Sequence, residues 1–149
     1  MQIGEVCNRE VIVTERGTSV REAAALMRDF HVGNLVVVED RAGVRAPVGI
    51  ITDRDVTIEV VAMGVDPEMV KVGEVMGPEL ITARETETVY DTLQRMRQHG
   101  VRRIPVLDSR GGLTGIVSLS DLLEFLAEEL SSLSRVEPRE QAREARVRK

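Results

Sequence analysis

Two rhythms of apolar residues alternate along this chain. In some stretches they recur every three or four positions, as on one face of a helix; in others they form short valine- and isoleucine-rich runs. The first helical stretch carries Val20, Ala23, Ala24, Met27 and Phe30, and a second carries Val89, Thr92, Leu93 and Met96. Each has a start signal. Ser19 with Glu22 three residues on is a capping box, and Thr88 with Asp91 is a weaker version. A short strand is predicted before each helix, at 11–13 and 80–82. After each helix comes a branched apolar run (35–38 or 104–107), a turn containing glycine, and a second run (48–51 or 113–117). These runs are too short for helices and rich in β-branched residues, so they are predicted as strands. A last helix follows in each half, over 53–63 up to Gly64, and over 120–130. Asp66-Pro67 marks the join.

The two halves are copies. Ile3-Gly4-Glu5-Val6-Cys7 falls on Val72-Gly73-Glu74-Val75-Met76, Met27 on Met96 and Val32 on Val101, all at an offset of 69. From Gly49-Ile50-Ile51-Thr52, which lies over Gly115-Ile116-Val117-Ser118, the offset is 66. The difference is assigned to a longer surface loop at 40–47 in the first copy, where insertions are tolerated. Each copy is a β-α-β-β-α unit of about 60 residues, too small to be more than marginally stable alone. The expected architecture is therefore α/β, with repeats at 1–66 and 67–130 packed as one module by pseudo-twofold symmetry. The last helix is apolar at Leu122, Leu123, Phe125, Leu126 and Leu130, wider than one narrow stripe, which predicts further packing.

Composition narrows the function. The chain has 149 residues, a formal net charge of −5 and three aromatic residues, so the core must be aliphatic. Residues 131–149 alternate arginine and glutamate and hold six basic against three acidic residues, leaving an acidic body. That balance argues against a nucleic-acid surface. The tail lacks an apolar face, and disorder is expected there. No apolar run is long enough to cross a bilayer, and no secretory signal is read at the start. The single cysteine, Cys7, makes no internal disulfide, which suits a reducing cytoplasm. It aligns with Met76 and reads as a packed hydrophobe. His31 and His99 lie at helix ends without metal-ligand spacing around them, although His99 could lend a donor to a phosphate. Thr52 and Asp55 have no adjacent base that would make a nucleophile, and no GxxxxGK loop is present. Catalysis is not expected.

The chemistry-bearing pattern is a strand end that opens a helix, GIITDRD at Gly49–Asp55 and GIVSLSD at Gly115–Asp121. A carboxylate at a helix start can accept charge-assisted hydrogen bonds from both ribose hydroxyls of an adenosine. The hydroxyl of Thr52 or Ser118 can reach ribose or α-phosphate, and a helix start favours an anion. The same residues also make ordinary helix caps. This string, standing twice and in register with a whole-chain repeat, resembles the nucleotide-contacting motif of CBS domains. The strand Arg103-Ile104-Pro105-Val106-Leu107-Asp108 is similar to that family's hydrophobic-Pro-Val strand. The resemblance covers residues 3–130.

A tandem CBS pair (a Bateman module) is thereby implied: a non-catalytic regulatory unit that binds an adenine nucleotide such as AMP, ADP or ATP and requires no cofactor. Strand-edge backbone at Val11, Val13, Leu80 and Thr82 would pair with adenine, and Ile104 and Pro105 would flank its faces. Arg102 and Arg103 of the second copy would face the cleft of Thr52 and Asp55, with Arg54 a further phosphate candidate. Their counterparts Gly33 and Asn34 carry no charge. The Thr52/Asp55 cleft is thus expected to take a phosphorylated adenosine, and the Ser118/Asp121 cleft to bind weakly, take an uncharged adenosyl group, or stay empty. The resemblance also implies a homodimer and an effector on a separate chain. Alternatives are a ligand-free dimerisation scaffold, or binding of another adenosyl compound such as S-adenosylmethionine or NAD.

Overall fold

A computed structural model describes residues 1–148. The elements follow the repeat. In the first half, β1 (Val13–Thr14) leads to α1 (Val20–Phe30), β2 (Asn34–Arg41), β3 (Val44–Thr52) and α2 (Asp53–Val56), which runs on as a π-helical turn over Thr57–Val61. A short α3 (Val72–Val75) opens the second half. It is followed by β4 (Ala83–Arg84), α4 (Val89–His99), β5 (Arg103–Leu107), β6 (Leu113–Ser118) and α5 (Leu119–Ser134). Each half builds one three-stranded sheet, ordered β1-β2-β3 and β4-β5-β6. In both, the first pair is parallel and the second antiparallel. The α/β architecture of two matched units is as the repeat predicts. Both helices that follow the first strands start on the predicted caps: Ser19 Oγ accepts from the Glu22 N–H at 3.1 Å and Thr88 Oγ1 from the Asp91 N–H at 3.0 Å.

The cores are shared by exchange. Val20, Ala23, Met27, Leu35, Val37 and Ile51 of the first repeat are buried together with Val72 of the second, and Val75 and Met76 pack on them. Ile104, Val106, Val117, Leu122 and Met96 of the second repeat are buried with Ile3 of the first, and Val6 and Cys7 pack there. The turn that opens each copy therefore completes the core of the other. Backbone bonds hold both turns symmetrically. Ile3 N–H donates to Glu87 O at 2.7 Å, and Val72 N–H donates to Thr18 O at 2.8 Å. A third apolar layer, Val36, Val38 and Leu113 with Val11, Val13 and Ile116, joins the two sheets.

Four local expectations are corrected. The first strands lie at Val13–Thr14 and Ala83–Arg84 rather than at 11–13 and 80–82, because the residues before them span the gap between sheets. The longer loop at 40–47 is instead an extension of the β2–β3 hairpin. It closes through Ala42 and Gly43 (φ 53° and 81°), and the Asp40 carboxylate accepts from the Gly43 N–H at 2.8 Å. Positive φ at both turn residues matches the twist of a two-residue hairpin. The helix expected over 53–63 is regular for one turn and then π-helical, with Ala62 N–H donating to Thr57 O. The charged tail is helical, α6 (Val136–Val147), with its side chains exposed. Good helix formers account for it. The break at Arg135 follows from Pro138, which has no N–H to offer the Ser134 carbonyl. No described helix is long and apolar enough to cross a membrane.

Glycines mark where the exchanged turns touch the sheets. A Cβ on Gly115 would lie 2.6 Å from Cys7 Sγ and 2.9 Å from the Asn8 carbonyl, whereas one on Gly49 would meet Met76 Sδ at 2.6 Å. Thioether sulfur on a long side chain can move aside, but backbone cannot. Gly115→Ala should therefore cost about 1–3 kcal/mol and Gly49→Ala distinctly less, read from urea denaturation midpoints. Ile3→Ala should cost about 2–5 kcal/mol. Hydrogen exchange should then speed up first in β5 and β6, in the repeat to which Ile3 does not belong in sequence; faster exchange in β2 and β3 instead would contradict the exchange of turns.

Candidate functional site

Thr52 ends β3 and caps α2; Ser118 ends β6 and caps α5. Both motifs fold into reciprocal capping boxes. Asp55 N–H donates to Thr52 Oγ1 at 3.1 Å while Thr52 N–H donates to Asp55 Oδ2 at 2.9 Å. In the second copy Asp121 N–H donates to Ser118 Oγ at 3.1 Å and Ser118 N–H donates to Asp121 Oδ2 at 2.7 Å. The Ser118 hydroxyl also donates to that carboxylate at 2.8 Å. Capping consumes one oxygen of each carboxylate. Among the described residues the other oxygen, Oδ1, accepts no hydrogen bond, and all four residues are half-buried.

Each motif opens onto a cleft of mixed parentage. Thr52, Asp55 and Ile50 of the first repeat face Glu79, Leu80, Ile81, Val101, Arg102 and Arg103 of the second across a cavity of about 270 Å³. Ser118, Asp121 and Ile116 of the second repeat face Glu10, Val11, Ile12, Val32, Gly33 and Asn34 of the first across about 260 Å³. These residues correspond position by position under the repeat offsets, and the second cleft is bordered in addition by Arg103 and Ser120. Their shape comes from the crossing segments. Asn8 N–H donates to Ile116 O of β6, and four residues later Ile12 O accepts from Val36 N–H of β2. In the other half Gly77 N–H donates to Ile50 O of β3. A larger hollow of about 330 Å³ borders Asp121 and is lined by Glu5, Glu124, Glu128 and Glu129, which suits no anion.

Charge distinguishes the clefts. The first presents Arg102 and Arg103 beside Asp55 and Glu79. In the second, Gly33 replaces Arg102, and the Asp53 carboxylate lies 3.2 Å from where a Gly33 Cβ would stand. The second cleft therefore adds a neighbouring carboxylate where the first has a guanidinium, next to Glu10 and Asp121.

Of the residues singled out in the sequence, Thr52, Asp55, Leu80, Arg102 and Arg103 meet in one cleft, and Val11, Ser118 and Asp121 in the other, which Arg103 also borders. The rest lie elsewhere. Ile104 is fully buried in the second core, since strand alternation turns it away from the face of Arg103. Pro105 is buried beside it, opposite Ile116. Val13 packs in the layer between sheets. Thr82 offers its carbonyl to Arg95 at 2.6 Å, and Arg54 is exposed outside the lining. Sequence reading passed over Glu10 and Glu79, although they sit at equal places in the repeat.

His31 closes α1 in the left-handed region (φ 55°), where the second copy has Gly100, and His99 ends α4 with Nδ1 4.0 Å from Glu79. Burial pushes the Cys7 thiol up, against a smaller lowering by Arg9, and its S–H donates to Gly4 O. Among the described residues no three His, Cys, Asp or Glu side chains gather as a metal site.

Paired strand-end caps opening onto two inter-repeat clefts define a tandem α/β module of two matched repeats. The chain belongs to the CBS domain family, whose model matches residues 3–62 and 72–128. The CBS fold is a regulatory, non-catalytic module. The chain is 36% identical to the CBS domain-containing protein YhcV of Bacillus subtilis, over 80% of this chain and 81% of that one. It is 36% identical to a protein of Methanopyrus kandleri over 83% of this chain, a match spanning 62% of that longer protein. Among solved structures, Hypoxic Response Protein I with two coordinated zinc ions superposes with a TM-score of 0.73 at 27% identity, covering 83% of this chain and 98% of that one.

The caps predict a separation of stability from charge. Asp55→Ala should lower the stability of the ligand-free protein by about 0.5–2 kcal/mol. Asp55→Asn should stay close to the parent, because its amide oxygen still accepts from Thr52 N–H. Equal losses in the two variants, by urea denaturation, would mean that the charge and not the cap supports this turn.

Proposed function

We propose that this module binds an adenosine-containing ligand carrying phosphate in the Thr52/Asp55 cleft, and that occupancy controls an effector on a separate protein. The observation that carries the reading is the meeting of a free Asp55 carboxylate oxygen with Arg102 and Arg103 across one apolar-walled cleft. Asp55 Oδ1 would take the ribose hydroxyls by charge-assisted bonds. Ile50, Leu80, Ile81 and Val101 offer apolar walls for adenine, and the arginine forks suit phosphate oxygens. AMP, ADP and ATP all meet this description.

A second reading applies to the other cleft. Glu10, Asp121 and the Asp53 carboxylate beside Gly33 favour an adenosyl group without negative charge, such as a nucleoside or a sulfonium compound of the S-adenosylmethionine kind. Exposed Ile58, Val61, Leu123, Leu126 and Leu130 on the last helices support assembly of two modules.

Thermal unfolding tests the assignment. At 100 times its dissociation constant a ligand stabilises by about 2.7 kcal/mol. One of AMP, ADP or ATP should raise the melting temperature of the wild type and of Asp121→Asn, and raise that of Asp55→Asn distinctly less. Stabilisation by S-adenosylmethionine or NAD alone would point to another adenosyl ligand. No shift with any of the five would favour a ligand-free interaction scaffold.

A further inference from the structure

The two clefts are not independent in their charges. Arg103 lines both of them, whereas its repeat counterpart Asn34 lines only the Ser118/Asp121 cleft. The sheet registers explain this. Arg103 opens β5 and pairs across the strands with Ser118, as Asn34 opens β2 and pairs with Thr52. Both residues therefore lie where their own repeat's cap meets the other repeat's cleft. The short amide reaches one cavity, and the longer guanidinium reaches two. Among the described residues Arg103 makes no ion pair and no side-chain hydrogen bond, so its charge is uncommitted. The first cleft has a second cation in Arg102. The other has Gly33 there, with the Asp53 carboxylate against it, so among the described residues Arg103 is the sole cation lining that cavity.

We propose that Arg103 is a single cation held in common by the two clefts, for which anionic ligands in them compete. This rests on the reading of the clefts as adenosyl-ligand sites. A phosphate in the Thr52/Asp55 cleft draws the guanidinium toward itself. The other cleft is then left with Glu10, Asp121 and nearby Asp53 unopposed, and rejects a second phosphate while still admitting an uncharged adenosine. Linkage makes the effect reciprocal. Filling one cleft with an anion thereby changes which class of ligand the other accepts, so that the pair reads two ligands of different charge rather than two copies of one.

Calorimetric titration of the full chain with AMP and with adenosine tests this. Asp55→Asn disables the first cleft and isolates the second. The second cleft should bind AMP about fivefold or more tightly in Asp55→Asn than in wild type whose first cleft is already filled. Adenosine should give no such difference. Arg103→Gln should remove the difference for AMP, and so should Asn34→Arg, which gives the second cleft a cation of its own. The proposal is overturned if the second cleft binds AMP equally well in both settings, if it takes none even in Asp55→Asn, or if the coupling persists in Arg103→Gln. Absence of AMP and adenosine binding from the wild type and from both single-cleft variants would instead overturn the adenosyl reading beneath it. Retained AMP binding in the first cleft of Asp121→Asn tells the two failures apart.

Discussion

Neither repeat can finish its own core, and the structure depends on how that deficit is met. A unit of some 60 residues with an aliphatic interior buries too little to stand alone. Here Ile3 fills the second core and Val72 the first, each wholly buried. Burial of one such side chain is worth about 1.5–3 kcal/mol. The segments after these turns must then cross from one sheet back to the other. Residues 8–12 and 77–81 make those crossings and line the clefts as they pass. The clefts are consequences of the exchange, which is why each joins a cap from one repeat to a strand entry from the other.

Within that frame, the same carboxylates serve two ends. Asp55 and Asp121 close the first turn of a helix through one oxygen and present the other to a cavity. Capping holds each side chain in one orientation, so the proposed ligand would require little further ordering of it. Structural and ligand-facing roles are therefore not rivals at these positions. A substitution that removes the oxygen disturbs both, and one that removes only the charge separates them.

Pseudo-symmetry makes the differences between copies informative. Backbone and apolar lining are alike in the two clefts, so selectivity must come from the positions where charge differs. Arg102 against Gly33, with the Asp53 carboxylate beside that glycine, shifts the first cleft toward anions and the second away from them, while Arg103 borders both. The change from a half-site with two guanidinium groups to one flanked by carboxylates involves few residues and no change of fold.

The repeat, the order of elements, the Ser19 and Thr88 caps and the pairing of Thr52/Asp55 with Arg102 and Arg103 were legible in the sequence. Each rests on local spacing or on comparison of one half of the chain with the other, and both are written in residue order. Tertiary structure alone decided which copy each opening turn completes, because the Ile3 and Val72 turns look the same whichever core receives them. It likewise turned Ile104 into the core and left Arg54 outside, since strand alternation and helix rotation fix where a side chain goes relative to a cavity formed by another segment. It also placed Arg103 in two clefts at once. That position depends on how the two sheets set the clefts side by side and on how far a guanidinium reaches, and a one-dimensional pattern encodes neither.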